Sequence, residues 1–206
     1  MRNVAILIFD EVEVLDFCGP FEVFSVTGKR NNIDPFNVYT VAQTDKPVLA
    51  RNKLSINPSY GLMDCPKPDI LLIPGGYGTR VEMKNSTLID WIRDRAEGAE
   101  LVLSVCSGAL LLAKAGLLDG LAATTHHGAL GLLRELAPDT KVVECERFVD
   151  NGRVIVSAGI SAGIDMSLYV VSRLLGEEQA NETAAYMEYD WSMNRMEVGT
   201  HKLQFQ

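Results

Sequence analysis

Continuous apolar runs separated by polar turns are the main pattern along the chain. Residues 4–9 and 70–73 are unbroken apolar runs rich in strand-forming side chains. Such runs are typical of strands that are buried on both faces of a parallel sheet. By the same pattern the sequence predicts strands at 36–41, 101–105, 142–145 and 153–157, extended chain at 122–125, a turn at 150–152 and a short hairpin over 48–56.

Helix signals lie between these runs. Asn85 or Ser86 can cap a helix over 88–97 that closes at Gly98, and Pro20 can occupy the first position of a helix that reaches Val26. The remaining predicted helices are 107–115, 128–136, 165–175 and 177–186. Because strands and helices alternate, the predicted fold is α/β: a doubly wound, mostly parallel, flavodoxin-like sheet with helices on both faces. We expect one domain over 1–206, with a core at about 4–190 and a polar, irregular tail after Tyr189.

Charge and cysteine usage narrow the function classes. The chain has 206 residues and a net charge of −8, which argues against nucleic acid or an anionic membrane surface as a partner. Neither a secretory signal nor a membrane span is predicted, so we expect a cytoplasmic protein with reduced thiols. No two of the four cysteines are spaced as a zinc or redox pair. We also expect no DNA-binding domain, because the length leaves no room for one.

Cys106 lies where a predicted strand passes directly into a predicted helix. In an open α/β sheet, ligands bind at the carboxyl ends of the strands, and the loops at 10–19, 74–79 and 106–108 begin at such ends. A sharp turn would present the thiol as a nucleophile elbow does, and the positive end of the helix would favour the thiolate. The alternative is a buried cysteine that only packs at a strand end.

The two other loops carry an acid and a glycine turn. Asp16 could hydrogen-bond a thiolate and act as a general acid with a raised pKa, and its alternative role is a helix N-cap. Gly75 and Gly76, in the Pro-Gly-Gly-Tyr-Gly stretch at 74–78, could form an oxyanion hole or a glycine-rich turn without a ligand. The stretch lacks the GxGxxG spacing of a dinucleotide site.

Two adjacent histidines follow the short extended stretch at 122–125. His126 could be the base of a Cys–His pair, or a hydrogen-bonded polar residue at a strand end. The second, polar role is favoured for His127. No acidic partner is identifiable, which argues against a metal site.

Five segments of the chain together carry a family resemblance. They are 15–24 (Leu-Asp-Phe-Cys-Gly-Pro-Phe-Glu-Val-Phe), 73–78 (Ile-Pro-Gly-Gly-Tyr-Gly), 104–109 (Ser-Val-Cys-Ser-Gly-Ala), 123–126 (Ala-Thr-Thr-His) and 158–165 (Ala-Gly-Ile-Ser-Ala-Gly-Ile-Asp). With these segments the chain resembles the ThiJ/PfpI superfamily, of the class I glutamine amidotransferase-like fold. Within it, the chain is most similar to the isonitrile hydratase branch, and related segments also form sensor domains of some transcription regulators.

The resemblance implies roles for individual residues. Cys106 would be the nucleophile and Asp16 the acid beside it, where glyoxalase- and peptidase-like relatives carry Glu. Gly75, Gly76 and the Ser107 backbone would hold the developing charge. The chain departs from the usual pattern of the branch at three places. Ser107 stands where the branch usually has Thr, and His127 stands where it usually has Trp. The stretch after Tyr189 also lacks the prolines of the branch.

The resemblance also implies a homodimer with its active sites near the interface. The apolar cluster of Phe17, Phe21, Val23 and Phe24 beside Asp16 is the expected contact surface.

The predicted function is a lyase that hydrates an isonitrile, a small-molecule substrate, to an N-substituted formamide. Cys106 and Asp16 carry the reaction, Ser107 and His126 line the site, and no metal or organic cofactor is expected. Two alternatives stay open. One is another thiol enzyme of the superfamily, of the glyoxalase, deglycase, amidase or peptidase kind. The other is a non-enzymatic redox or ligand sensor.

Overall fold

The predicted strands at 4–9, 36–41, 70–73, 101–105 and 153–157 lie in one eight-stranded sheet, and the other predicted strands lie in two short pairs. The main sheet also contains strands at 60–61, 148–150 and 198–200 that the sequence analysis did not predict. The structure is a computed structural model that describes residues 1–191 and 198–200. The strands are β1 (Arg2–Leu7), β2 (Phe36–Ala42), β3 (Val48–Leu49), β4 (Ser55–Ile56), β5 (Tyr60–Gly61), β6 (Ile70–Ile73), β7 (Leu101–Ser104), β8 (Ala122–Ala123), β9 (Lys141–Val142), β10 (Phe148–Asp150), β11 (Val154–Ser157) and β12 (Val198–Thr200).

The main sheet has the order β12-β10-β11-β7-β6-β1-β2-β5. Adjacent strands of this sheet run parallel except for β10 and β11. These two strands form an antiparallel pair around a turn in which Gly152 has φ 88°. The mostly parallel α/β sheet is therefore confirmed. The predicted hairpin at 48–56 is also present, as the antiparallel pair β3–β4.

Helices cover both faces of this sheet. They are α1 (Val14–Val26), α2 (Thr79–Glu82), α3 (Ser86–Gly98), α4 (Gly108–Lys114), α5 (Leu130–Leu136), α6 (Ala162–Leu175) and α7 (Glu177–Tyr186), with short 3₁₀ turns at Lys29–Asn31, Arg51–Lys53 and His127–Ala129. One group packs α1 against α6 and α7, and the other packs α4 against α2, α3 and α5. Residues 4–7 of β1 and 70–73 of β6 lie between these groups and are fully buried, which explains their uninterrupted apolar sequence.

Predicted and observed ends of elements differ by up to three residues, as at α6, which begins at Ala162 rather than at Asp165. Three other predictions are wrong. Helix α1 begins at Val14 rather than at Pro20, which lies inside it. Burial of Phe17 and Phe24 from this helix outweighs the cost of an internal proline, about 3 kcal/mol. The strand expected at 142–145 is limited to β9, which pairs with β8, while β10 is the partner of β11.

The third correction concerns the tail, where Val198–Thr200 pairs with β10 instead of being irregular. The remainder of that predicted tail, at 192–197 and 201–206, lies outside the described residues. Within the part of the chain that the structure describes, no helix is both long and apolar enough to cross a membrane.

The apolar cluster expected to form a dimer surface lies mostly in the core. Phe17, Val23 and Phe24 are side chains of α1 that are buried, and Phe21 is half-buried. The sequence-based choice of this cluster as a contact surface is therefore wrong, because its side chains pack inward against the protein's own core.

Candidate active site

Cys106 sits at the strand-to-helix corner that the sequence predicts. It follows β7, precedes α4 and has φ 56°, a left-handed conformation that strains a non-glycine residue. The corner is held because Cys106 N–H faces the carbonyls of Ser157 (3.2 Å) and Ala158 (3.1 Å), and Thr125 Oγ1 donates to Cys106 O at 2.7 Å.

Gly108 allows α4 to start directly against the neighbouring strand. A Cβ atom at this position would lie 2.0 Å from the carbonyl oxygen of Ile73. Any larger residue would therefore push the corner away from β6, and with it the Cys106 thiol.

Asp16 lies inside the first turn of α1 and is completely buried. Its Oδ2 accepts a hydrogen bond from Gly75 N–H at 3.1 Å. Its Oδ1 has no hydrogen-bond partner among the described residues. The N-cap position belongs to Glu13, so the alternative role of Asp16 as a helix cap is wrong.

Burial raises the pKa of Asp16 to about 7. The Cys106 thiol and the Gly75 N–H group lie beside the carboxyl and partly oppose this rise, while the charge of Glu13 adds to it. The carboxyl is therefore poised to hold or release a proton near neutral pH. Its unpartnered Oδ1 is the atom available for that exchange.

Burial also raises the pKa of the Cys106 thiol, to about 12, and the charge of Asp16 adds to the effect. The N–H and hydroxyl groups of Ser107 oppose it. The expectation that the helix N-terminus favours thiolate has the wrong sign for the net effect, because α4 is short and burial dominates. Thiol and carboxyl thus form a buried pair that shares one proton above pH 7.

The two glycines hold the side chains of the site in place. Gly75 N–H donates to Asp16, and Gly76 N–H donates to Ser107 Oγ at 3.0 Å. Both donors are occupied in this structure, so an oxyanion role for either glycine would require its hydrogen bond to open. Ser107 is itself buried, and Thr79 Oγ1 also contacts its hydroxyl at 3.3 Å.

His126 lines the same pocket as Cys106. Its Nδ1 accepts a hydrogen bond from Gly128 N–H at 3.1 Å, which assigns the proton of the neutral ring to Nε2. Burial, followed by the charges of His127 and Arg80, lowers the pKa of His126. The neutral ring therefore carries a hydrogen-bond donor rather than a base at Nε2. The exposed His127 stacks on it, with ring centroids 4.1 Å apart.

The pocket above Cys106 has a volume of about 200 Å³. Its walls include residues that sequence reasoning did not single out: Glu13, Tyr77, Arg80, Gly128 and Ile160. Glu13 and Tyr77 lie within the strand-end loops that the sequence did identify. Arg80 follows just beyond one of them, so a slightly wider search of that loop would have found it.

The described residues offer no group of three or more His, Cys, Asp or Glu side chains placed to bind a metal ion.

Known proteins resemble this chain along most of its length. A sequence profile of the DJ-1/PfpI family matches residues 2–173. The chain is 33% identical over 187 residues to the isonitrile hydratase of Pseudomonas putida, covering 91% of this chain and 78% of the relative. It is 29% identical over 174 residues to the HTH-type transcriptional regulator CdhR of Pseudomonas aeruginosa, covering 84% of this chain but only 51% of the regulator.

Solved structures point to the same family. A ThiJ/PfpI family protein from Pseudomonas syringae has a TM-score of 0.83 at 30% identity, covering 93% of this chain and 76% of the other. Drosophila melanogaster DJ-1beta has a TM-score of 0.81 at 21% identity, covering 92% of this chain and 99% of the other. The described fold is thus shared with these proteins, and the chain belongs to the DJ-1/PfpI family.

Proposed function

We propose that this protein hydrates an isonitrile to an N-substituted formamide, with Cys106 as nucleophile and Asp16 as proton carrier. The observation that carries the proposal is the buried Asp16–Cys106 pair. It combines a thiol with a carboxyl whose pKa burial raises to about 7 and whose Oδ1 has no partner among the described residues. The similarity to the Pseudomonas putida isonitrile hydratase supports the same reaction.

The first step forms a bond between sulfur and carbon. The terminal carbon of an isonitrile is electrophilic, and Cys106 Sγ attacks it while the proton shared by the pair passes through Asp16 to that carbon. One C–S bond and one C–H bond form, and the carbon–nitrogen triple bond becomes a double bond. The product is a thioimidate on Cys106, and Asp16 is left as a carboxylate.

The second step adds water and releases the enzyme. Asp16 takes a proton from water as its oxygen attacks the thioimidate carbon, and that proton passes to nitrogen. The resulting intermediate loses its hydroxyl proton to Asp16 as the C–S bond breaks. The formamide leaves, and the pair regains its single proton. The sum is one isonitrile and one water converted to one formamide, without a redox change.

Ser107 and His126 assist in this proposal as hydrogen-bond donors. The Ser107 N–H group and hydroxyl favour negative charge on the Cys106 sulfur. His126 offers its Nε2–H to the pocket, as the hydrogen bond at Nδ1 implies. A Cys–His peptidase mechanism is less well supported, because Nδ1 is occupied and no carboxylate orients the ring within the described residues.

The decisive experiment measures conversion of an alkyl isonitrile to its formamide by chromatography. We expect turnover by the wild-type protein, none by Cys106→Ala, and a loss of roughly 10²–10⁴ in Asp16→Asn. Cys145→Ala is the matched control, since Cys145 is an exposed thiol outside this pocket.

Turnover of methylglyoxal or a peptide amide in place of the isonitrile would contradict the proposal in favour of another thiol enzyme. Absence of all three activities would favour a sensor. A homodimeric assembly and a cytoplasmic location stay predictions.

A further inference from the structure

Arg80 is a charged residue of the pocket that the proposed reaction does not use. It is half-buried and shares the pocket wall with Cys106. Its Nη1 contacts Gly76 O at 3.3 Å and Thr79 Oγ1 at 2.9 Å. Within residues 1–191 and 198–200, its Nε and Nη2 have no hydrogen-bond partner, and no carboxylate forms an ion pair with it.

The charged residues near Arg80, which are Arg51 and Glu13, are placed differently. Arg51 is occupied, because it pairs with Glu11 at 2.6 Å. Both guanidinium groups lie over the Tyr77 ring, Arg51 at 4.4 Å from its centroid and Arg80 farther away, at 5.8 Å. Glu13 is on the pocket wall but forms no ion pair with Arg80, so the two charges occupy separate positions. A guanidinium with free donors in a pocket wall matches the planar, bidentate geometry of a carboxylate.

The size of the pocket limits the ligand. A volume of about 200 Å³ lies below the roughly 300–1,000 Å³ of pockets that hold drug-sized ligands. It therefore accommodates a molecule of a few non-hydrogen atoms, smaller than most drug-sized ligands.

We propose that Arg80 binds the carboxylate of a small isocyano carboxylate and so directs its isocyano carbon to Cys106. The inference rests on the proposed isonitrile hydration and specifies its substrate class. Glu13 keeps a second anionic group out of the pocket, so monocarboxylates are preferred over dicarboxylates. Arg80 acts in this proposal as a specificity-determining residue.

The test compares isocyanoacetate with its methyl ester, which differ in one charge. We expect the ratio of their kcat/KM values, acid over ester, to fall roughly tenfold to a hundredfold in Arg80→Met. Arg80→Lys should recover part of the ratio, since lysine keeps the positive charge but lacks the planar, bidentate donor geometry of a guanidinium. Arg30→Met is the matched control, because it removes an exposed positive charge outside the pocket. A local loss of folding around Gly76 and Thr79 would lower kcat/KM for the acid and for the ester by the same factor. An unchanged ratio of the two kcat/KM values in Arg80→Met would overturn the inference.

A second measurement does not depend on hydration. Iodoacetate and iodoacetamide are thiol-alkylating reagents of which only iodoacetate carries a carboxylate, and peptide mapping gives the rate at Cys106 alone. We expect the iodoacetate-to-iodoacetamide rate ratio to fall at least tenfold in Arg80→Met. If neither isonitrile is turned over, the proposed function fails and this ratio alone decides the role of Arg80. Equal ratios in the wild type and Arg80→Met would refute it.

Discussion

Replacing Asp16 by Asn should stabilise the protein at alkaline pH while it lowers activity by roughly 10²–10⁴. In the folded state, burial raises the pKa of Asp16 from 3.8 to about 7. Between these two pH values the folded protein binds a proton that the unfolded chain does not, so stability falls as pH rises through this range. At ~1.4 kcal/mol for each unit of pKa, the loss reaches about 4 kcal/mol by pH 8.

Asn is neutral at every pH, and its oxygen can still accept the hydrogen bond from Gly75 N–H. We therefore expect Asp16→Asn to match the wild type within about 1 kcal/mol at pH 4.5 and to exceed it by about 2 to 4 kcal/mol at pH 8. Urea unfolding followed by circular dichroism, at several pH values between these limits, measures the difference.

Asp90→Asn is the control for this experiment. It removes a carboxylate whose side chain is 68% exposed and paired with Arg93, so its effect should stay below about 1 kcal/mol at either pH. A stability difference between Asp16→Asn and the wild type that does not grow with pH would refute the reasoning, because Asp16 would not then be a buried acid with a raised pKa.

Three further outcomes are expected. First, kcat/KM of the wild type on a confirmed substrate should rise with pH through about 7 and then level off, because the active form of the pair carries one proton; a profile flat across pH 6–8 contradicts the shared proton. Second, Gly75→Ala should lose activity at least about a hundredfold, since its Cβ would lie 2.5 Å from Ser107 N and 2.8 Å from Asp16 Oδ2. Gly131→Ala, with open space around its Cβ, should retain activity, and equal activity in both variants would contradict this account of Gly75. Third, light scattering at micromolar concentration should give a dimer mass, and a monomer mass would rule out the predicted assembly.

The sequence was sufficient for the features that local pattern encodes. The buried strands were predicted because apolar runs such as 70–73 leave no polar face, and the Cys106 corner because strand and helix meet there without a loop. The start of α1 was missed because Pro20 resembles a first helical residue, whereas packing of Phe17 and Phe24 extends the helix toward its N-terminus.

Long-range partners explain the remaining differences. Gly75 and Gly76 look like free oxyanion donors until folding brings Asp16 and Ser107 to their N–H groups. The direction of the Cys106 pKa depends on burial and on the charge of Asp16, neither of which the helix position alone reveals.

The hydrogen bonds that hold Asp16 and Ser107 have a consequence for the order of folding. They join residues that are 59 and 31 positions apart in the chain. Contacts of this separation close long loops, and loop closure delays them relative to local helix formation. The site is complete only when β1, β6 and β7 have all paired side by side. Recovery of activity after dilution from denaturant should therefore lag behind the return of helical signal, so that activity reports the last contacts of the sheet to form.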